Sequence, residues 1–143
     1  MVISAIVVDN GDPLLRDSIG SLRPQVDEII LAPGPKTDLS LASSLADRLM
    51  NPVRGIGLAR VRAIQEARGK YVLSCDSDTV YHGGYAEFAE QDLGIFRAVK
   101  AGRAYPYEWD PIAAVEMAIY PLLCYEFGLG FRRDDFLSCL LYT

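Results

Sequence analysis

Histidine, cysteine and positive charge are all scarce in this chain of 143 residues. Its three cysteines, Cys75, Cys124 and Cys139, are odd in number and form neither a C-x-x-C pair nor a zinc-ligand spacing, which excludes a disulfide framework and a zinc site of the usual kind. They read as reduced, mostly packed thiols of a cytoplasmic protein. Lys and Arg number 14 against 19 Asp and Glu, and the net charge of −5 argues against nonspecific nucleic-acid binding, which needs a basic face. No apolar run reaches the roughly 18 uninterrupted residues of a membrane span. The nearest approach, residues 111–131, is interrupted by Glu116 and Glu126 and is read as a core helix, with a membrane-surface segment as the alternative. A basic leader and a small-residue cleavage site are also lacking, so residues 1–8 are expected to be a first strand and not a signal peptide. No internal repeat or low-complexity segment is present.

Half of the residues are apolar and 23% are charged, which suits one globular domain over residues 1–143. Residues 2–8 form a β-branched apolar run expected to be a buried central strand. Asp9, Asn10 and Gly11 turn the chain, and Asp12 followed by Pro13 has the form of a helix start, a capping side chain before a residue that needs no amide partner. Leu14, Leu15, Ile19 and Leu22 give that helix its apolar side, and Pro24 ends it. A second strand is expected at residues 28–32, so the opening is β-α-β with a right-handed crossover. Pro33, Gly34 and Pro35 then read as a stiff turn. Asp38 or Ser40 can cap a helix whose stripe is Leu41, Ala42, Leu45, Ala46 and Leu49. Residues 50–54 are a short extended link.

The stretch from Gly55 to Gly84, GIGLARVRAIQEARGKYVLSCDSDTVYHGG, organises the rest. Ile56, Ala59, Ala63, Ile64 and Ala67 fall on one helical face and Gly69 is expected to stop the helix. Residues 71–75 read as a buried parallel strand. Asp76, Ser77 and Asp78 follow at its carboxyl end, where open α/β sheets place their ligands. Two carboxylates so close repel unless a cation lies between them, and a hard divalent ion bridging to phosphate oxygens is the natural candidate. His82 is read as a polar cap, with a third metal ligand as the alternative. Residues 94–100 fit a strand or a continued helix equally.

The spacing A-R-x-x-A-x-x-x-A-x-G-x-Y followed by D-S-D resembles the GT-A glycosyltransferases of family 2, whose usual pattern is A-R-N-x-G-x-x-x-A-x-G-x-Y and then D-x-D. Ala59, Arg60, Ala67, Gly69, Tyr71, Asp76 and Asp78 fall on that pattern, and Gly55 matches a glycine ahead of it; Val61 departs from the family's Asn and Ala63 from its Gly. The opening unit keeps the family's N-x-x-x-L-L-x-x-x-I-x-S-L-x-x-Q rhythm through Gln25 when one residue of slack is allowed after Asn10. Where members commonly read E-I-I-V-V-D-D-G-S-T-D, this chain has EIILAPGPKTD, so Pro33 and Gly34 replace the two aspartates while Thr37 and Asp38 remain.

The resemblance implies an α/β fold, the GT-A (Rossmann-like) three-layer sandwich with a mostly parallel central sheet. It implies a metal-dependent, inverting transfer of a sugar from a UDP- or GDP-linked donor to an acceptor hydroxyl, with residues 1–80 as the nucleotide-sugar half and residues 81–143 as a shortened acceptor side. The nucleotide would meet Val8, Asp9, Asn10, Pro33, Arg60, Asp76 and Ser77, and Mn2+ or Mg2+ would sit at Asp76 and Asp78. A solvated arginine is the plain alternative for Arg60, as it is for Arg54. Residues 105–110, YPYEWD, put rings beside carboxylates, an arrangement suited to sugars, although an aromatic loop packed on the sheet has the same composition. Glu108 and Asp110 are the first candidates for the catalytic base and Asp134 and Asp135 the next. Arg132 and Arg133 are read as a solvated pair, with a diphosphate or an anionic membrane surface as alternatives. The tail, GFRRDDF, resembles a segment that precedes a G-G-F-D motif in many members, and the family's acidic E-D motif has no counterpart after it. A chain shortened in this way is expected to bind a donor, with either catalysis or donor binding alone as its function, and self-association would cover exposed apolar surface. A nucleotidyltransferase is disfavoured, since no Gly-rich, Lys/Arg-containing phosphate loop follows the first strand.

Overall fold

The apolar runs of the first half become three adjacent parallel strands inside a mixed sheet. The computed structural model describes residues 2–95, 98–100 and 129–140. Glu108, Asp110, the YPYEWD stretch, Cys124 and nearly all of the expected helix at 111–131 lie outside the described residues. In chain order the elements are β1 (Ile3–Asp9), α1 (Leu15–Leu22), β2 (Glu28–Pro33), α2 (Leu39–Leu45), β3 (Arg48–Leu49), α3 (Ile56–Glu66), β4 (Tyr71–Asp76), α4 (Tyr85–Ile95), β5 (Ala98–Lys100), β6 (Leu129–Arg132) and α5 (Arg133–Leu140).

The described strands form one sheet in the order β3-β2-β1-β4-β6-β5, with β3, β2, β1 and β4 parallel and β6 antiparallel to both of its neighbours. Helices cover both faces. On one side Leu15, Ile19 and Leu22 of α1, Ala42 of α2 and Ala86, Ala89 and Leu93 of α4 pack on Ala5, Val7, Ile29, Leu31, Leu73 and Cys75. On the other, Ala59, Ala63 and Ile64 of α3 and Phe136 and Leu137 of α5 pack with Ile6, Ile30, Val72 and Phe131. The central strands therefore bury both faces, which is why they read as unbroken apolar runs and not as alternating ones.

Four expectations need correction. Helix α1 starts at Leu15, with Leu14 as its N-cap, 42% exposed, and no side-chain cap from Asp12. Helix α2 ends at Leu45, and Leu49 belongs to β3, where it pairs with Leu31. Ala46 is already extended, and the Asp47 carboxylate accepts the Ile29 amide at 2.7 Å, so the chain is drawn onto the sheet edge. Ile56 is 59% exposed; the buried face of α3 is Ala59, Arg60, Ala63 and Ile64. Helix α3 ends at Glu66, before Gly69, which serves a different purpose. The Gly69 amide donates to Ser4 Oγ at 2.8 Å, and a Cβ at this position would stand 2.6 Å from both the Ser4 amide nitrogen and Oγ. Since one of those atoms is backbone, Gly69→Ala is expected to lower stability by about 1–3 kcal/mol in urea unfolding, and an unchanged midpoint would show that the approach relaxes at no cost. Of the ambiguous stretch at 94–100, Gly94 and Ile95 end α4 and Ala98–Lys100 form β5.

Register fixes what meets at the carboxyl edge. Asp9 pairs with Pro33 and Val8 with Asp76, so the ends of β1, β2 and β4 are level. The chain leaves β1 toward β2 on one side and β4 lies on the other, which makes the crevice above β1 a topological switch point, the place where open α/β sheets bind ligands.

Candidate functional site

Asp9 ends β1 almost fully buried, at 1% exposure, and its carboxylate is filled by the protein. Oδ2 accepts the Gly11 amide at 2.9 Å and the Thr37 hydroxyl at 2.6 Å, and Oδ1 accepts the Asp12 amide at 3.0 Å. Burial alone would raise this carboxyl, but hydrogen bonds from Thr37, the Gly11 and Asp12 amides and Ser77 outweigh it and hold the pKa below its ordinary value. A group depressed in the folded state stabilises the protein above its unfolded pKa, and that contribution is lost as pH falls through the folded value. Urea midpoints are therefore expected to decline below about pH 4. Asp9→Asn should flatten part of that decline and leave the share due to Asp27 and Asp47, whose pKa values are lowered too.

The turn after β2 is built on the same aspartate. The Gly34 amide donates to the Asp9 carbonyl at 2.7 Å and Thr37 Oγ1 donates to it at 3.0 Å. A Cβ on Gly34 would stand 2.6 Å from Asn10 Oδ1 and 2.9 Å from the Asp9 carbonyl oxygen, so no larger side chain fits here without displacement. Pro33 is buried, Val8 is half-buried and Asn10 is exposed, with its Oδ1 accepting the Lys36 amide.

The acidic turn leaves β4 beside this assembly. Arg60 is only 8% exposed, although it comes from a helix position that sequence alone left open to solvent. Its guanidinium donates to Ser74 Oγ and to Asp76 Oδ1, each at 2.6 Å. Ser77 is buried and hydrogen-bonds Asp9, whereas Asp78 is exposed and its Oδ1 accepts only the neighbouring Thr79 hydroxyl among the described contacts, at 3.2 Å. Alternation through the turn thus sends Ser77 inward and Asp78 outward. The pairs Arg60–Asp76 and Thr37–Asp9 were not legible as pairs in the sequence, although Thr37 stood on the motif that this chain retains.

The other candidates are placed elsewhere. Arg54 and His82 are exposed, and His82 Nδ1 lies 3.2 Å from the Gly83 carbonyl. Arg132 pairs with Tyr71, the first residue of β4, so the start of α5 lies at the amino edge, away from Asp76. There Arg132 donates to the Leu93 and Gly94 carbonyls near the end of α4, and Arg133 to the Gln65 carbonyl of α3. Cations at helix carboxyl ends satisfy carbonyls that have no helical partner. Asp134 and Asp135 occupy the first turn of α5, where acids complement the helix dipole, and they sit too far along β6 to serve as a base at the acidic turn.

Among the described residues no group of three or more His, Cys, Asp or Glu side chains is placed to hold a metal. Two carboxylates at a turn nevertheless suit Mg2+ or Mn2+, hard ions commonly held by one or two carboxylates together with substrate phosphates.

No protein-family model and no curated protein matches the chain. Solved structures do. Mannosyl-3-phosphoglycerate synthase from Rubrobacter xylanophilus superposes with a TM-score of 0.65 at 20% identity, covering 94% of this chain and 54% of that one. Glucosyl-3-phosphoglycerate synthase from Mycobacterium tuberculosis, in complex with Mn2+, UDP and phosphoglyceric acid, gives 0.64 at 23% identity, covering 93% and 56%. S. aureus TarS in complex with UDP-GlcNAc gives 0.60 at 19%, covering 78% and 37%. The chain spans little more than half the length of the two synthases. At these identities the likeness defines the fold, and the fold is GT-A, the Rossmann-like α/β sandwich that the motif resemblance implied.

Proposed function

We propose that this chain is a metal-dependent glycosyltransferase domain that moves a sugar from a nucleotide-diphosphate sugar to an acceptor hydroxyl with inversion. The observation that carries this is the outward carboxylate of Asp78, next to the Arg60–Asp76 pair and level with the end of β1, on the switch-point edge of a GT-A sheet. The donor would lie over residues 1–80, against Val8, Asn10, Pro33, Arg60, Asp76 and Ser77. Asp9 contributes by shaping that turn, because its oxygens already serve protein donors.

Asp76 and Asp78 would hold Mn2+ or Mg2+, with Arg60 fixing the orientation of the Asp76 carboxylate. Bound there, the ion supplies Lewis-acid stabilisation of the charge that develops on the departing diphosphate. The acceptor-side step needs a carboxylate to take the hydroxyl proton during in-line attack, and Glu108 and Asp110 are assigned to it. What supports the assignment is that Lys100 and Leu129, which flank residues 101–128 in the chain, are register partners toward the carboxyl end of the sheet. The M. tuberculosis synthase holds UDP and Mn2+ and TarS holds UDP-GlcNAc, which supports a uridine-linked donor. No described helix is long and apolar enough to cross a membrane.

Calorimetric titration of UDP- and GDP-sugars with Mn2+, followed by a donor-hydrolysis assay, tests this reading. Binding with slow sugar release, lost in Glu108→Gln or Asp110→Asn with binding intact, is the expected result. Failure to bind any nucleotide sinks the donor site, and binding without release or transfer to any of many acceptors leaves a donor-binding domain only.

A further inference from the structure

Among the described residues β6 pairs with β4 from Tyr71 to Ser74, two positions short of Asp76. The end of β4 is held from α1 as well. Ser18 Oγ donates to the Asp76 carbonyl at 3.0 Å, and the Asp76 amide donates to the Tyr81 hydroxyl at 2.8 Å. The Tyr81 amide in turn donates to Ser21 Oγ at 2.9 Å, and Ser21 Oγ donates to the Ser18 carbonyl at 2.6 Å. These four bonds close a circuit: Ser18 to Asp76, Asp76 to Tyr81, Tyr81 to Ser21, Ser21 back to Ser18. Both ends of the segment that carries Ser77 and Asp78 are thereby tied to one helix and to each other.

The circuit is part-buried: Ser18 is 0% and Tyr81 7% exposed, while Ser21 and Asp76 are half-buried. The Tyr81 ring packs on Tyr85, with centroids 5.0 Å apart. In the turn just past α1, Gln25 donates to the Ser21 carbonyl at 2.7 Å and accepts the Ala86 amide at 3.3 Å, which fixes the start of α4 as well. Ser21 suits the job because a short hydroxyl can bond a carbonyl one turn back and still accept from outside the helix, whereas Ser18 gives its hydroxyl proton directly to the Asp76 carbonyl. Closed networks in a low-dielectric interior hold their geometry more firmly than isolated bonds.

We propose that Ser18, Ser21 and Tyr81 are positioning residues that fix the span of the acidic turn and so the outward presentation of Asp78. This rests on the donor-site reading above. Their role is separate from contact with the nucleotide, since each acts through the backbone of residue 76 or 81. The consequence is selective: loosening the circuit should weaken binding that depends on the ion and spare binding that does not.

The test uses the full chain, with UDP and Mn2+ as probes, in wild type, Tyr81→Phe and Ser21→Ala. Tyr81→Phe keeps the buried ring, and Ser21→Ala breaks the circuit elsewhere, so one variant's folding defect would not decide the matter. UDP affinity is measured calorimetrically with and without Mn2+, the bound-Mn2+ spectrum by electron paramagnetic resonance, and amide exchange at residues 76–81. Each variant is expected to lose about fivefold to tenfold in Mn2+-dependent UDP affinity, the worth of one hydrogen bond to a constrained group. Its metal-free UDP affinity should stay within about twofold, its Mn2+ spectrum should broaden and the Asp76 amide should exchange faster. Mn2+-dependent affinity unchanged in both variants overturns the proposal, as does an equal fall with and without Mn2+, which would mark a merely structural role. A wild-type protein that binds no UDP under either condition overturns the donor-site reading and this inference together, and is told apart by appearing before any substitution is made.

Discussion

Asp78→Ala is expected to raise the Kd for a nucleotide diphosphate in the presence of Mn2+ by at least about 100-fold, since outer-shell partners alone are commonly worth 10–100-fold in metal affinity and this residue is assigned to the ion directly. Its Tm should stay within about 2 °C of wild type. Asp78 is exposed, and its one described hydrogen bond is to the adjacent Thr79, so the fold loses little with it. Calorimetry with and without Mn2+ beside a thermal melt separates the two effects. Binding retained in a folded Asp78→Ala protein would move the ion, if one is used, away from this turn.

Arg60 carries the opposite expectation, a large effect on stability. Its side chain is 10% exposed and bonds Asp76, whose side chain is 26% exposed, at 2.6 Å. Removing one member of a mostly buried ion pair leaves the other charge uncompensated, a loss of 3–5 kcal/mol where burial is complete. The quarter exposure of Asp76 places Arg60→Ala near the lower end, about 3 kcal/mol, or roughly 10 °C in Tm. Arg60→Met combined with Asp76→Leu should recover most of that stability, because two apolar side chains need no charge partner. The double variant should still fail to bind Mn2+·UDP. A stable Arg60→Ala protein in urea unfolding would show that water and its other neighbours compensate the Asp76 charge without Arg60.

The legible part of this protein was the part encoded in runs. Residues 2–8, 28–32 and 71–75 announced buried strands because both of their faces are covered, and the level carboxyl end of β4 made the D-S-D turn readable as a site. What the sequence hid depends on pairing across distance. Arg60 lies on the face of α3 that packs against the sheet, and Ser74 and Asp76 on the facing side of β4 help to make a buried guanidinium tolerable there. The two-residue strand β3 is too short to leave a periodic trace, so Leu49 was drawn into the stripe of the preceding helix. Arg132 and Arg133 looked solvated because the carbonyls they cap belong to α3 and α4, far away in the chain. Gly69 matched a motif position, yet its physical reason, the approach of Ser4, comes from a residue 65 positions earlier.

The central claim is that Asp76 and Asp78 present a divalent ion to a nucleotide diphosphate at the carboxyl edge of β4. A crystal soaked with UDP and Mn2+ and measured at the manganese absorption edge tests it most directly. The expected result is an anomalous peak within coordination distance of an Asp78 oxygen, with the diphosphate on its far side and the nucleoside over the ends of β1 and β2. A peak at any other set of residues, or UDP bound in the same place with no ion at the turn, would contradict it.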